Sequence, residues 1–163
     1  MTVYIGIDPG KTGAIAVLNE LDNPDLIDCP LIGKEIDIVG IIAIFENLIQ
    51  YASPPKIFVA IEKAQVMPLK LIKKQSQGSV SMFRYGVIYG IYLGVINAFK
   101  IPFMEVHPQI WKKEFGLIKK PKESSVIVAK QLFPQCQAGI YLKKHHGRAE
   151  ALLLAEYARR KVK

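Results

Sequence analysis

Two acids in this sequence each close a short apolar run. Tyr4-Ile5-Gly6-Ile7 leads into Asp8, and Ile57-Phe58-Val59-Ala60-Ile61 leads into Glu62. Both runs are rich in β-branched and aromatic residues and short enough to be buried strands. A carboxylate at the mouth of a buried strand is costly unless something cationic or a hydrogen-bond donor meets it. A third acid, Glu150, follows His146 by four residues, so the two share one face of a helix. An imidazole and a carboxylate at that spacing can serve one metal ion. Asp8, Glu62, His146 and Glu150 are therefore the candidate metal ligands. Plainer readings exist for each. Asp8-Pro9-Gly10 can be a turn in which the acid caps its own backbone. Glu62 can pair with Lys56 or Lys63, and Glu150 can be a solvated surface acid beside loop histidines.

The elements that must position these groups can be read along the chain. Gly10 and Gly13 supply a tight turn after Asp8, returning the chain through a second apolar run, Ala14-Ile15-Ala16-Val17. Residues 26–30 read as a third, shorter strand. Asp37 caps an amphipathic helix over 38–51, which Ser53-Pro54-Pro55 ends. After the strand that closes on Glu62, a loop over 63–77 precedes a long apolar helix over 79–99. In that helix Gly86, Gly90 and Gly94 share a face. Glycine costs roughly 1 kcal/mol in a helix interior, so close packing is the expected return, on the chain's own sheet rather than on a second subunit. Residues 102–106 form a fifth strand, Pro108 opens a short helix, and helices follow over 123–133 and 147–162. The expected fold class is α/β, with a mixed five-stranded sheet (three antiparallel strands, then two parallel) flanked by helices.

The chain has 163 residues and a formal net charge of +8 with pI near 9.5. That length suits one domain with a real core, here residues 1–163. The charge suits a polyanionic partner, nucleic acid ahead of an acidic membrane surface. The basic residues cluster. Lys63, Lys70, Lys73 and Lys74 occupy the loop after Glu62, and Lys112, Lys113, Lys119, Lys120 and Lys122 surround Trp111 and Phe115. Lysines in such clusters contact phosphates without reading sequence. No apolar stretch reaches the ~18 residues of a membrane span, and no signal segment precedes the first strand. The two cysteines, Cys29 and Cys136, form no zinc or disulfide pattern. A cytoplasmic location is expected.

Taken in order, several segments resemble one family. These are Ile5-Gly6-Ile7-Asp8-Pro9-Gly10 with Thr12-Gly13, Ile61-Glu62-Lys63, Ser81-Met82-Phe83-Arg84-Tyr85-Gly86, Val106-His107-Pro108 with Trp111-Lys112-Lys113, and Gly147-Arg148-Ala149-Glu150-Ala151-Leu152. Together they resemble the RuvC-type Holliday junction resolvases, in their phage and short bacterial form. The resemblance implies an RNase H-like fold, a homodimer and Mg²⁺-dependent cleavage of four-way DNA junctions, leaving 5′-phosphate and 3′-hydroxyl ends. It also implies two metal ions per site, bridged by Asp8 and flanked by Glu62 and Glu150. His146 would be a ligand or proton shuttle, and Lys122 would brace the phosphate. The closing helix departs from the common Asp-Gly-Arg-Ala-Asp, reading His146-Gly147-Arg148-Ala149-Glu150, and nitrogen ligation moves a site towards Mn²⁺. Where some relatives carry a base-stacking aromatic, this chain has Gln65, so Phe83 or Met67 takes that role. Lys11 and Arg84 complete the expected DNA contacts. The alternatives are a junction-binding protein with an impaired site, a nuclease of the same fold acting on RNA or other branched DNA, and one lobe of a sugar-kinase-like protein.

Overall fold

The computed structural model describes residues 2–19, 23–50, 56–65 and 79–162. Met67, Lys70, Lys73 and Lys74 lie outside the described residues. Strand β1 (Thr2–Asp8) is central. It pairs antiparallel with β2 (Ala14–Leu18), which pairs antiparallel with β3 (Asp25–Asp28). On its other side β1 runs parallel to β6 (Lys56–Glu62), and β6 runs parallel to β7 (Phe103–Val106). The sheet order is β3-β2-β1-β6-β7, the mixed five-stranded arrangement expected from the sequence.

The alternation along β1 sorts its side chains to two layers. Val3, Ile5 and Ile7 face a core shared with helix α1 (Ile38–Gln50) and helix α2 (Ser79–Ala98), where Ile41, Phe45, Tyr92 and Ile96 are buried. Tyr4 faces the second core, which holds α3 (Pro108–Glu114), α4 (Glu123–Leu132) and α5 (His146–Lys161) through Trp111, Phe133, Leu152 and Leu153. Gly6 belongs to this second face. A Cβ there would fall on the Ala151 carbonyl and the Ala155 amide nitrogen, so α5 lies against the sheet at backbone distance.

Three features differ from the sequence expectations. The third strand stops at Asp28 rather than Pro30, because proline has no N–H for the ladder. A two-residue-per-strand hairpin, β4 (Leu31–Ile32) and β5 (Glu35–Ile36), stands between β3 and α1. The glycine face of α2 does not pack on the sheet. A Cβ at Gly86, Gly90 or Gly94 would meet nothing within 4 Å.

Gly6→Ala forces α5 off the sheet or strains β1. Overpacking of this kind costs about 1–3 kcal/mol, and a thermal melt of the variant should drop accordingly.

Candidate active site

Register carries the acids to one edge. Ile7 is opposite Ile61 in the parallel β1–β6 pair, so Asp8 and Glu62 emerge side by side. Glu62 is in turn opposite Val106, so the chain leaving β7 enters α3 at the same edge. His107 caps α3, its Nδ1 accepting from the Gln109 N–H at 3.4 Å, and Pro108 fills the first helical position. One turn later the fully buried Trp111 donates its indole N–H to Glu62 Oε2 at 2.8 Å. The neighbouring Lys112 places Nζ 3.3 Å from Glu150 Oε1. Consecutive residues of one short helix thus meet two of the acids.

Helix α5 delivers Glu150 and His146. Its first turn is pinned by Arg148, which donates to both carboxylate oxygens of Asp28 on β3, each at 2.6 Å, and to the Gly139 carbonyl at 3.0 Å. Gly147 sits against the β1–β2 turn, where a Cβ would fall on the Thr12 carbonyl oxygen. Lys122 occupies the N-cap position of α4, its carbonyl held by the Ser125 hydroxyl at 2.7 Å.

The electrostatics show how crowded the acids are. Burial, then the charges of Glu150 and Glu62, push the Asp8 carboxyl up from 3.8 to about 8, against the opposing pull of Lys112 and Lys122. Burial also raises Glu62, offset by Lys112 and by the Trp111 hydrogen bond. The phenol of Tyr85 is raised by burial and by the same acids. Among the described residues, no three His, Cys, Asp or Glu side chains are placed so as to form a ready metal cage.

These groups open into a cleft of about 750 Å³. Asp8, Glu62, His146 and Lys122 line it near the sheet edge, and Lys11, Phe83 and Arg84 line it further out. Glu150 lies beside it in a small adjoining recess with Lys112, Lys120 and Lys122. Of the expected DNA contacts, Lys112 is engaged by Glu150, while Lys63, Lys113 and Lys119 are exposed outside the cleft lining. Gln65 is turned to His107, their Nε2 atoms 2.6 Å apart. Sequence reasoning missed Trp111 as a partner of Glu62 and Tyr85 as a neighbour of the acids. It also missed the hairpin, whose Leu31, Lys34 and Ile36 line the cleft.

The architecture is that of the RNase H-like proteins, in the form found in RuvC. Thermus thermophilus RuvC in complex with a Holliday junction substrate superposes with a TM-score of 0.64 at 17% identity, covering 99% of this chain and 97% of that one. A second Thermus thermophilus RuvC structure gives 0.59 at 18% identity, covering 98% and 97%. By sequence, the chain is similar to the chloroplastic Holliday junction resolvase MOC1 of Chlamydomonas reinhardtii, 29% identical over 108 residues. That match takes in 66% of this chain but only 12% of the algal protein. No protein-family model matches the chain. No helix among the described residues is long and apolar enough to cross a membrane.

The acid cluster has a consequence for stability. The unfolded chain releases the Asp8 proton near 4, whereas the folded protein keeps it to about 8. The native state therefore binds more protons across that window, and stability falls as pH rises through it. Without divalent ions, Asp8→Asn should melt several degrees above the parent at pH 8, and the gap should close towards pH 4. Differential scanning calorimetry at the two pH values measures it.

Proposed function

We propose that this chain is a structure-selective endonuclease that resolves four-way DNA junctions by metal-dependent hydrolysis of phosphodiesters. The observation that carries this reading is the convergence of Asp8, Glu62 and Glu150, from β1, β6 and α5, beside a cleft bearing Lys11, Arg84 and Lys122. The RuvC-like fold and the resemblance to a resolvase sequence support it.

The donor types suit divalent cations, although the described side chains are not drawn together into a cage. Burial, then the charges of Glu150 and Glu62, hold Asp8 protonated to about 8, and a bound cation would relieve the repulsion among the three acids. Among the described residues no basic side chain forms an ion pair with it. Carboxylate oxygens suit Mg²⁺, and the His146 nitrogen widens the choice to Mn²⁺. Asp8, Glu62, Glu150 and His146 would hold up to two ions, which supply an activated water and neutralise charge on the phosphate. The chain's own residues do the rest. Trp111 fixes the orientation of Glu62. Lys122 faces the cleft where a scissile phosphate would lie, and Lys11 and Arg84 meet the flanking phosphates. A cut that leaves 5′-phosphate and 3′-hydroxyl ends can be religated.

Paired cuts need two sites, and a homodimer supplies them. The open glycine face of α2, with Gly90 and Gly94 exposed, is a surface on which a second copy can approach closely. Light scattering should report a dimer, and Gly90→Arg a monomer that nicks junctions singly.

The central test is strand cleavage of a synthetic four-way junction beside a linear duplex of the same sequence, in Mg²⁺ and separately in Mn²⁺. Paired nicks on opposing strands of the junction alone are expected. Asp8→Asn should still bind the junction and lose cleavage, and equal cleavage by that variant would sink the site. Tight binding without any cut by the parent would instead indicate an impaired junction-binding protein. Equal cutting of both substrates would indicate a broader nuclease.

A further inference from the structure

Helix α2 carries three tyrosines on one face. Tyr85, Tyr89 and Tyr92 are four and three residues apart, a spacing that sets them in a single file. The file runs from the core towards the cleft. Tyr92 is fully buried and donates its hydroxyl to Cys29 Sγ at 3.7 Å. Tyr89 is half-buried and donates to Glu105 Oε2 on β7. Tyr85, nearest the start of the helix, is half-buried and lines the cleft with Asp8 and Glu62. Those two acids are the charges that act most strongly on its phenol, and Glu150 acts on it as well. Among the described residues the Tyr85 hydroxyl has no hydrogen-bond acceptor, unlike the other two of the file.

The two faces of the sheet bring different groups to this edge. Helix α2 packs on the face of Ile5 and Ile7, with Ile88 and Tyr92 buried there. Helices α3, α4 and α5 pack on the opposite face and bring Lys112, Lys122 and Glu150. Asp8 and Glu62 emerge from the sheet between the two layers. A phosphate seated over these acids is therefore met by Lys122 from one side and by Tyr85 from the other. The two donors differ in kind. An ammonium group beside carboxylates is drawn into an ion pair, as Lys112 is by Glu150. A phenol is uncharged near neutral pH, so its O–H stays available beside three acids. Hydrolysis of a phosphodiester gathers negative charge on the non-bridging oxygens of the phosphate. A preorganised donor aimed at such an oxygen contributes most in the transition state.

We propose that Tyr85 is a catalytic residue of the hydrolysis, its hydroxyl donating to a non-bridging oxygen of the scissile phosphate from the α2 side of the acids, opposite Lys122. The inference rests on the nuclease reading above and adds a residue to its chemistry. Tyr85 transfers no proton. The oxygen of water bonds to phosphorus and the P–O3′ bond breaks. The proton that the water loses and the one that O3′ gains are exchanged with solvent. The phenol holds the non-bridging oxygen throughout, and its hydrogen bond strengthens as charge collects there.

The test compares the full chain with Tyr85→Phe and Tyr89→Phe in single-turnover cleavage of a four-way junction, in Mg²⁺ and in Mn²⁺. Tyr85→Phe keeps the ring, so its melting temperature and its junction affinity in EDTA should match the parent's. Its cleavage should be slower by about 100-fold, the loss typical of one oxyanion donor. Tyr89→Phe removes a hydroxyl outside the cleft lining and should cut at the parental rate. Junctions with sulfur in place of one or the other non-bridging oxygen at the cut position isolate the contact. Sulfur is a weak hydrogen-bond acceptor, so one diastereomer should slow the parent and slow Tyr85→Phe far less. That difference should persist in Mn²⁺, which tolerates sulfur ligands better than Mg²⁺. A parental rate in Tyr85→Phe would overturn the assignment and leave the nuclease reading standing. So would a slow Tyr85→Phe that keeps the parent's full sulfur effect at both diastereomers, the mark of a merely structural residue. A parent that cuts no junction in either metal would overturn both.

Discussion

The backbone-to-backbone seating of α5 on the central strand governs the rest of this structure. Gly6 on β1 and Gly147 on α5 each leave out a side chain where a neighbouring backbone atom already stands. The helix consequently lies one Cβ layer closer to the sheet than ordinary packing permits. Ala149, Ala151 and Ala155 continue the same thin contact, all fully buried. The result is that a carboxylate and an imidazole from the end of the chain reach the edge where β1 and β6 discharge theirs. A bulkier seam would move Glu150 away from Asp8 and dissolve the charge cluster without touching any of its members.

That cluster is expensive, and the surrounding residues show how the protein tolerates it. Glu62 is held by an indole N–H and Glu150 by an ammonium group, both from adjacent positions of α3. Asp8 accommodates the crowding by keeping its proton. The three acids thus meet their common field by three different means: a neutral donor, a counter-charge and protonation. Only the last removes the charge of the acid itself. The bidentate Arg148–Asp28 pair lies at the surface, with Asp28 the more exposed partner. Its importance is geometric, since it fixes the first turn of α5 against β3.

Much of this was legible in the sequence. Runs of Ile, Val and Tyr ending on Asp8 and Glu62 announced two strands and two acids, because burial leaves only a few residue types at such positions. Three antiparallel strands followed from the turn residues, and two parallel ones from the helical crossovers between them. What was hidden has physical causes. The β4–β5 hairpin has two residues per strand, too few for any alternation, and its turn residues look like an ordinary loop. The contact between Trp111 and Glu62 spans 49 positions and depends on register, which no local pattern encodes. The glycines of α2 were expected against the sheet, since buried contact is the usual reason for glycine in a helix. Spacing alone puts residues on one face and is silent about which way that face looks.

Trp111 is the only tryptophan in the chain, and its indole nitrogen is bonded to one of the site's carboxylates while the ring is sealed in the core. Indole emission is sensitive to the charge held next to its nitrogen. The protein therefore carries its own optical probe, with no competing signal from a second indole. A change in the ionisation or the partner of Glu62 would thus be read at a single chromophore bonded to that carboxylate.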